Sequence, residues 1–119
     1  MYAWEQVRQC LDVILVEGLF DYAVLWQAGF RHLTCSLGTH LNACQFRQLC
    51  DSPRIVYLTF DVDANGSGQQ ASQRLAHRLQ ARGVAPRRVL LPHGHDPNSF
   101  FVQGGDARQF QSLLEAAQP

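Results

Sequence analysis

Lysine is missing from this chain: all ten of its basic residues are arginine. That absence removes a P-loop lysine, a Schiff-base lysine and a lysyl-adenylate nucleophile at once. Cysteine is sparse and badly spaced for zinc. Cys10, Cys35, Cys44 and Cys50 contain no C-x-x-C pair, and the nearest two have five residues between them. Reduced, mostly buried thiols in a cytoplasmic protein are expected instead. His93 and His95 flank a glycine without a paired ligand motif and read as exposed loop histidines. No apolar run approaches the roughly 20 residues of a membrane span. The first residues, with Glu5 and Arg8 beside Trp4 and Val7, lack a signal-peptide pattern. Net charge is also lacking, since ten acids balance the ten arginines and leave no strongly basic surface to grip nucleic acid unaided.

What remains suits one compact domain over residues 1–119, with 46% hydrophobic content and no repeat, low-complexity tract or linker. Residues 12–16 form an unbroken apolar run after Asp12, as a strand buried on both faces requires. Residues 32–35, 55–60 and 89–91 are expected as further strands. Between them lie helical patterns. Residues 1–9 form a short leading helix; Phe20, Ala23, Val24, Gln27 and Ala28 keep the three-and-four spacing before a stop at Gly29. Asn42 and Gln45 form a capping box that opens a helix to Cys50. Ala71, Leu75 and Leu79 recur every fourth residue through a helix over 67–82, which ends before Gly83. Pro97 opens a short helix, and Asp106 caps an amphipathic one that carries Phe110, Leu113, Leu114 and Ala117. Strands separated by helices imply an α/β fold with a roughly four-stranded parallel sheet and right-handed crossovers.

The acids are placed unevenly along this pattern. Glu17, Asp21, Asp61, Asp63 and Asp96 are half of the ten, and all lie at expected strand ends or in the first turn after them. In an open α/β sheet ligands sit beyond the carboxyl ends of the strands. Two carboxylates about 4 Å apart repel by roughly 4 kcal/mol at an effective dielectric near 20, so such a cluster either protonates or binds a cation.

Three familiar motifs fail on inspection. The stretch from Asp61 to Gly66 matches the first half of an EF-hand loop, but the twelfth position is Ser72 rather than a bidentate glutamate, and the loop follows a strand. The run Gly66-Ser67-Gly68-Gln69-Gln70-Ala71 fits a dinucleotide fingerprint. However, five residues, two of them acidic, separate the strand from its first glycine, and no ribose-binding acid follows at Leu91. A phosphatase of the haloacid dehalogenase pattern would carry its Asp-x-Asp pair on the first strand and commonly uses a lysine.

The ordered set is more telling. It runs Val16-Glu17-Gly18-Leu19-Phe20-Asp21, then Ser36-Leu37-Gly38-Thr39, then Asp61-Val62-Asp63-Ala64-Asn65-Gly66, then Gly94-His95-Asp96-Pro97-Asn98. This resembles the Toprim domain shared by topoisomerases, primases and some nucleases. Within that group it is most similar to bacterial DnaG-type primases, and the likeness covers nearly the whole chain. The resemblance implies a compact Rossmann-like Toprim fold. It also implies that Glu17, Asp61 and Asp63 are the catalytic acids and principal ligands of magnesium, with manganese as a substitute, while Asp21 and Asp96 complete the metal-binding rim. Magnesium takes oxygen ligands and usually only a few carboxylates plus substrate phosphate, which suits an open acidic patch.

The implied activity is nucleotidyl transfer in DNA replication: nucleotides joined into RNA primers on single-stranded DNA, with further primase regions or replication proteins as partners. The chain departs from the primase pattern at Asn98, where a second aspartate is typical, so a second metal site loses a charge. Two alternatives stay open: a Toprim nuclease using a metal-activated water, and a non-catalytic module that binds metal and phosphate. Glu17 as general acid or base, Asp21 as a first-turn helix acid, and Asp96 as a helix cap are also compatible with the residues alone.

Overall fold

A computed structural model describes residues 1–38, 40–60, 67–92 and 95–119, the side chains of 67–69 excepted. The elements follow the order α1 (Trp4–Val7), β1 (Asp12–Val16), α2 (Leu19–Gln27), β2 (Leu33–Cys35), α3 (Ala43–Leu49), β3 (Ile55–Thr59), α4 (Ser67–Gln80), β4 (Ala85–Arg88), α5 (Pro97–Val102) and α6 (Ala107–Glu115). All strand pairs are parallel, in the order β2-β1-β3-β4. The fold is therefore the expected α/β sheet of four parallel strands flanked by helices.

The alternation of β1 explains both faces. Val13 and Leu15 enter one core with Trp4, Val7, Phe46, Leu49, Leu75 and Leu79, beneath α1, α3 and α4. Ile14 and Val16 enter the other with Leu25, Phe30, Leu33 and Phe110, beneath α2, α5 and α6. A strand covered on both sides has no solvent face, which is why its sequence shows no polar alternation. The crossover from β1 to β2 moves one way across the sheet with its helix on the second face. Those to β3 and β4 move the other way with helices on the first face. All three therefore share one hand, as parallel crossovers do.

The fourth strand differs from expectation. It is Ala85–Arg88 rather than 89–91, and it pairs with β3 from Ile55↔Ala85 to Leu58↔Arg88. As an edge strand it tolerates Pro86, which has no N–H to donate, and two arginines. Val89 and Leu91 are apolar because they are buried in the second core just past the strand, although Val89 N still donates to Leu58 O at 3.0 Å. The leading helix is likewise shorter than residues 1–9.

Both sheet edges meet other parts of the chain. Tyr2 N donates to Cys35 O on the outer side of β2, and Thr34 Oγ1 donates to Tyr2 O. On the outer side of β4, Arg88 and Gln118 exchange backbone hydrogen bonds.

Between the turn after α3 and β3, Arg54 is buried at 4% exposure. Its guanidinium donates to the carbonyls of Gln48, Leu49 and Arg8, to Asp51 Oδ1 at 2.8 Å and to Ser52 Oγ at 2.7 Å. It also lies over the Trp4 ring, 4.8 Å from its centroid. One planar cation thereby ties α1, the end of α3 and the start of β3 together.

Candidate metal centre

The strand order reverses between β1 and β3, which lie side by side, with β2 beyond one and β4 beyond the other. Ligands in open α/β sheets bind beyond the strand ends at such a point. Val16 pairs with Thr59 at the carboxyl ends of these two strands. Glu17 follows Val16 directly, and the segment that begins with Asp61 follows Phe60. Asp61 and Asp63 themselves lie outside the described residues, as do Thr39, His93 and Gly94. Among the described residues, no three His, Cys, Asp or Glu side chains come close enough to hold a metal ion.

Asp21 and Asp96 have defined structural work. Gly18 is the N-cap of α2, so Asp21 stands at the third helical position, where the nearby Gly18 N–H favours its charged form. Its carboxylate accepts from the Asn98 N–H at 3.0 Å, an otherwise orphaned donor in the first turn of α5. Asp21 is thus buried between two helix N-termini. Asp96 caps α5, accepting from Ser99 N at 2.7 Å while Ser99 Oγ accepts from Asp96 N at 3.0 Å. The cap explains Asp96 before Pro97 without reference to a metal. The side chain is nonetheless partly exposed.

Burial raises the proton affinity of Asp21 above the ordinary value of 3.8. The Asn98 N–H opposes that rise, and the negative charges of Asp96 and Glu17 add to it. The three acids therefore share one field at the strand ends. Folded Asp21 binds its proton more tightly than unfolded Asp21, so its contribution to stability is fully present below 3.8 and lost as pH rises through the raised folded value. In chelator, the stability of the wild type relative to Asp21→Asn should decline as urea denaturation is moved upward from pH 4. A difference independent of pH, or one that grows, would contradict this.

The loop after β2 is held tightly. Leu37 takes a left-handed φ of 63°, strained for a residue with a branched side chain and usually kept only where the surroundings enforce it. Ser36 N donates to Val16 O at 3.0 Å, which joins this loop to the end of β1, while the single proton of Ser36 Oγ faces Gly38 O, with Val16 O also within reach. Gln45 closes the capping box with Asn42 and donates to Ser36 O at 2.9 Å. The Cys35 thiol is engaged elsewhere: it donates to Glu17 O, and burial pushes its pKa up. Thr59 Oγ1, buried at the end of β3, has no hydrogen-bond partner among the described residues.

Among the described residues a groove of about 740 Å³ lies elsewhere, between α1 and α2. Its lining includes Tyr2, Leu19, Tyr22 and Trp26 and carries no acid. Tyr22 stacks on Trp26, and Arg31 lies 3.8 Å from the Trp26 ring centroid, so the aromatic faces are already engaged.

Residues 14–101 match the Toprim-like family. The DNA primase of Myxococcus xanthus is 33% identical over 117 residues, which cover 97% of this chain and 19% of that protein. The crystal structure of the Aquifex aeolicus primase zinc-binding and RNA polymerase domains superposes with a TM-score of 0.80 and 31% identity, over 98% of this chain and 28% of that one. A DnaG primase catalytic domain bound to single-stranded DNA gives a TM-score of 0.75 and 27% identity, over 92% of this chain and 34% of that one. The chain spans about a fifth of the length of the curated primases it matches.

Proposed function

Because this chain belongs to the Toprim-like family and is similar to bacterial DnaG primases, we propose that it is the metal-binding unit for nucleotidyl transfer in primer synthesis. The observation that carries this reading is the pairing of Val16 with Thr59 at the reversal of strand order. It sets the exit of β1, which Glu17 follows, beside the exit of β3, from which the chain runs on in sequence toward Asp61 and Asp63.

The donor set fits a hard divalent cation. Glu17, Asp61 and Asp63 offer only carboxylate oxygen, and burial pushes up the pKa of the nearby Cys35 thiol. Those three acids would hold magnesium, or manganese in its place, while Asp21 and Asp96 supply the surrounding negative rim. A cation bound there would supply Lewis-acid polarisation of a nucleotide phosphate for attack by a primer hydroxyl.

The residues of the chain set up that site. Asp21 ties the first turns of α2 and α5 to each other, which sets the Asp96 cap near the start of α2. Asn98 contributes its backbone N–H to this anchor and no charge of its own. The reading therefore commits to one principal cation rather than two.

Incubation with labelled single-stranded DNA, magnesium and ribonucleotides tests the proposal, with zinc-binding and basic primase regions supplied in trans. Elongated products that disappear in Glu17→Gln are expected. Shortened products would assign a nuclease, and binding without turnover a non-catalytic module.

A further inference from the structure

Arginines line the seam between α3 and α4 on the first face of the sheet. Arg74 and Arg78 on α4, and Arg82 in the turn that closes it, recur every four residues and are exposed. Four residues of helix advance about 6 Å, so the guanidinium groups rise along the seam in steps close to the phosphate spacing of an extended single strand.

Two of them share one support. The Arg78 and Arg82 guanidinium carbons lie 4.2 and 5.7 Å from the centroid of the Phe46 ring on α3, which holds two like charges near each other. Among the described residues, none of the three arginines forms an ion pair. The nearby acid, Asp51, is engaged by Arg54. At its upper end the seam opens into a groove of about 140 Å³ lined by His40, Leu41, Ala71, Arg74, Leu75 and Arg78. His40 belongs to the loop that leaves β2, so the groove begins at the end of the sheet where the acids gather.

We propose that this seam binds the phosphodiester backbone of single-stranded nucleic acid, leading it along α4 toward or away from the metal centre. Regularly spaced planar cations with no ion pair among the described residues are what a polyphosphate chain recognises, and a chain of zero net charge presents three of its ten here. Stacking on Phe46 orients the guanidinium groups before the strand arrives, reducing the ordering that binding requires. The inference deepens the primase reading and rests on it for the identity of the polymer. It uses none of the acids, so it is tested without metal.

Fluorescence anisotropy with labelled oligo-dT in EDTA, across a salt series, measures the contact. Exchanging Arg74, Arg78 and Arg82 together for glutamine should weaken binding at least tenfold at low salt and flatten the log-affinity against log-salt slope by about 2, as three lost single-strand phosphate contacts require. The triple lysine variant should keep most of that slope. A control exchanging Arg31, Arg87 and Arg108 for glutamine removes equal charge from the opposite face and should change the slope little. Thermal melting verifies that each variant is folded. Absence of oligo-dT binding by the wild type, or equal losses in seam and control variants, would overturn the proposal. So would displacement of the oligonucleotide by poly-glutamate at equal charge, which would assign the seam to an acidic protein. Failure here leaves the metal centre standing, because magnesium titration of the seam variant reads that centre separately.

Discussion

Exchanging Asp61 and Asp63 together for asparagine is expected to abolish magnesium binding in calorimetry while leaving the melting temperature unchanged or raised. Asparagine keeps the shape and much of the hydrogen-bonding capacity of aspartate but removes both charges. A magnesium site made of few carboxylates has no substitute for that loss, because its affinity comes from ionised oxygen. The same exchange should relieve like-charge repulsion in the apo protein, which for carboxylates brought to about 4 Å amounts to roughly 4 kcal/mol at an effective dielectric near 20.

Mass action supplies a second readout. At one hundred times its dissociation constant a ligand stabilises the folded state by about 2.7 kcal/mol, so magnesium should raise the melting temperature of the wild type and not that of the double variant. Unchanged magnesium affinity in the double variant would remove the proposed centre. A collapsed melting temperature would mean that the two acids serve the fold.

The largest loss of stability is expected at Arg54. Exchange for methionine keeps much of the stem that packs near Trp4 but leaves the carbonyls of Arg8, Gln48 and Leu49 without the donor that now serves them. A buried carbonyl left without its donor costs about 1–3 kcal/mol, and three of them weigh heavily against a total stability of about 5–15 kcal/mol for a typical domain. Arg54→Lys should recover only part, because an ammonium cannot match the planar fork that reaches five acceptors. Asp51→Asn should cost far less, since Asp51 is partly exposed and supplies only one of those acceptors. Urea denaturation of the three variants gives the ranking. An Arg54→Met loss below about 1 kcal/mol would mean that water serves those carbonyls equally well.

Arg54 also marks where reading the chain stops being sufficient. In sequence it is one arginine after Ser52-Pro53, within a turn, and nothing local reports that Arg8 lies 46 residues away at its guanidinium. The same holds for Asp21: its first-turn position is legible, but the Asn98 N–H that makes it an anchor is 77 residues distant. Local features were far more readable. Strand β1 announces itself because burial on both faces leaves an apolar run after Asp12, β2 and β3 because their runs are short and mostly apolar, and the Asn42 and Asp106 caps because side chain and backbone donor lie three residues apart.

Strand β4 was misplaced for the complementary reason. A strand at the sheet edge can be written Ala-Pro-Arg-Arg, while the apolar residues that follow it fill a core without continuing the ladder. Of the site, the acids and their order were visible in the chain. The adjacency of the β1 and β3 exits depends on strand order, which no local pattern encodes.

That order also leaves two outer rims, one along β2 and one along β4, where vacant hydrogen-bonding groups invite strands from other molecules. Tyr2 occupies part of one and Gln118 part of the other, so each rim offers an intruder a shortened, interrupted template. A tag or fusion that pulled either residue away would expose sticky backbone, and the penalty would surface as self-association before any loss of chemistry.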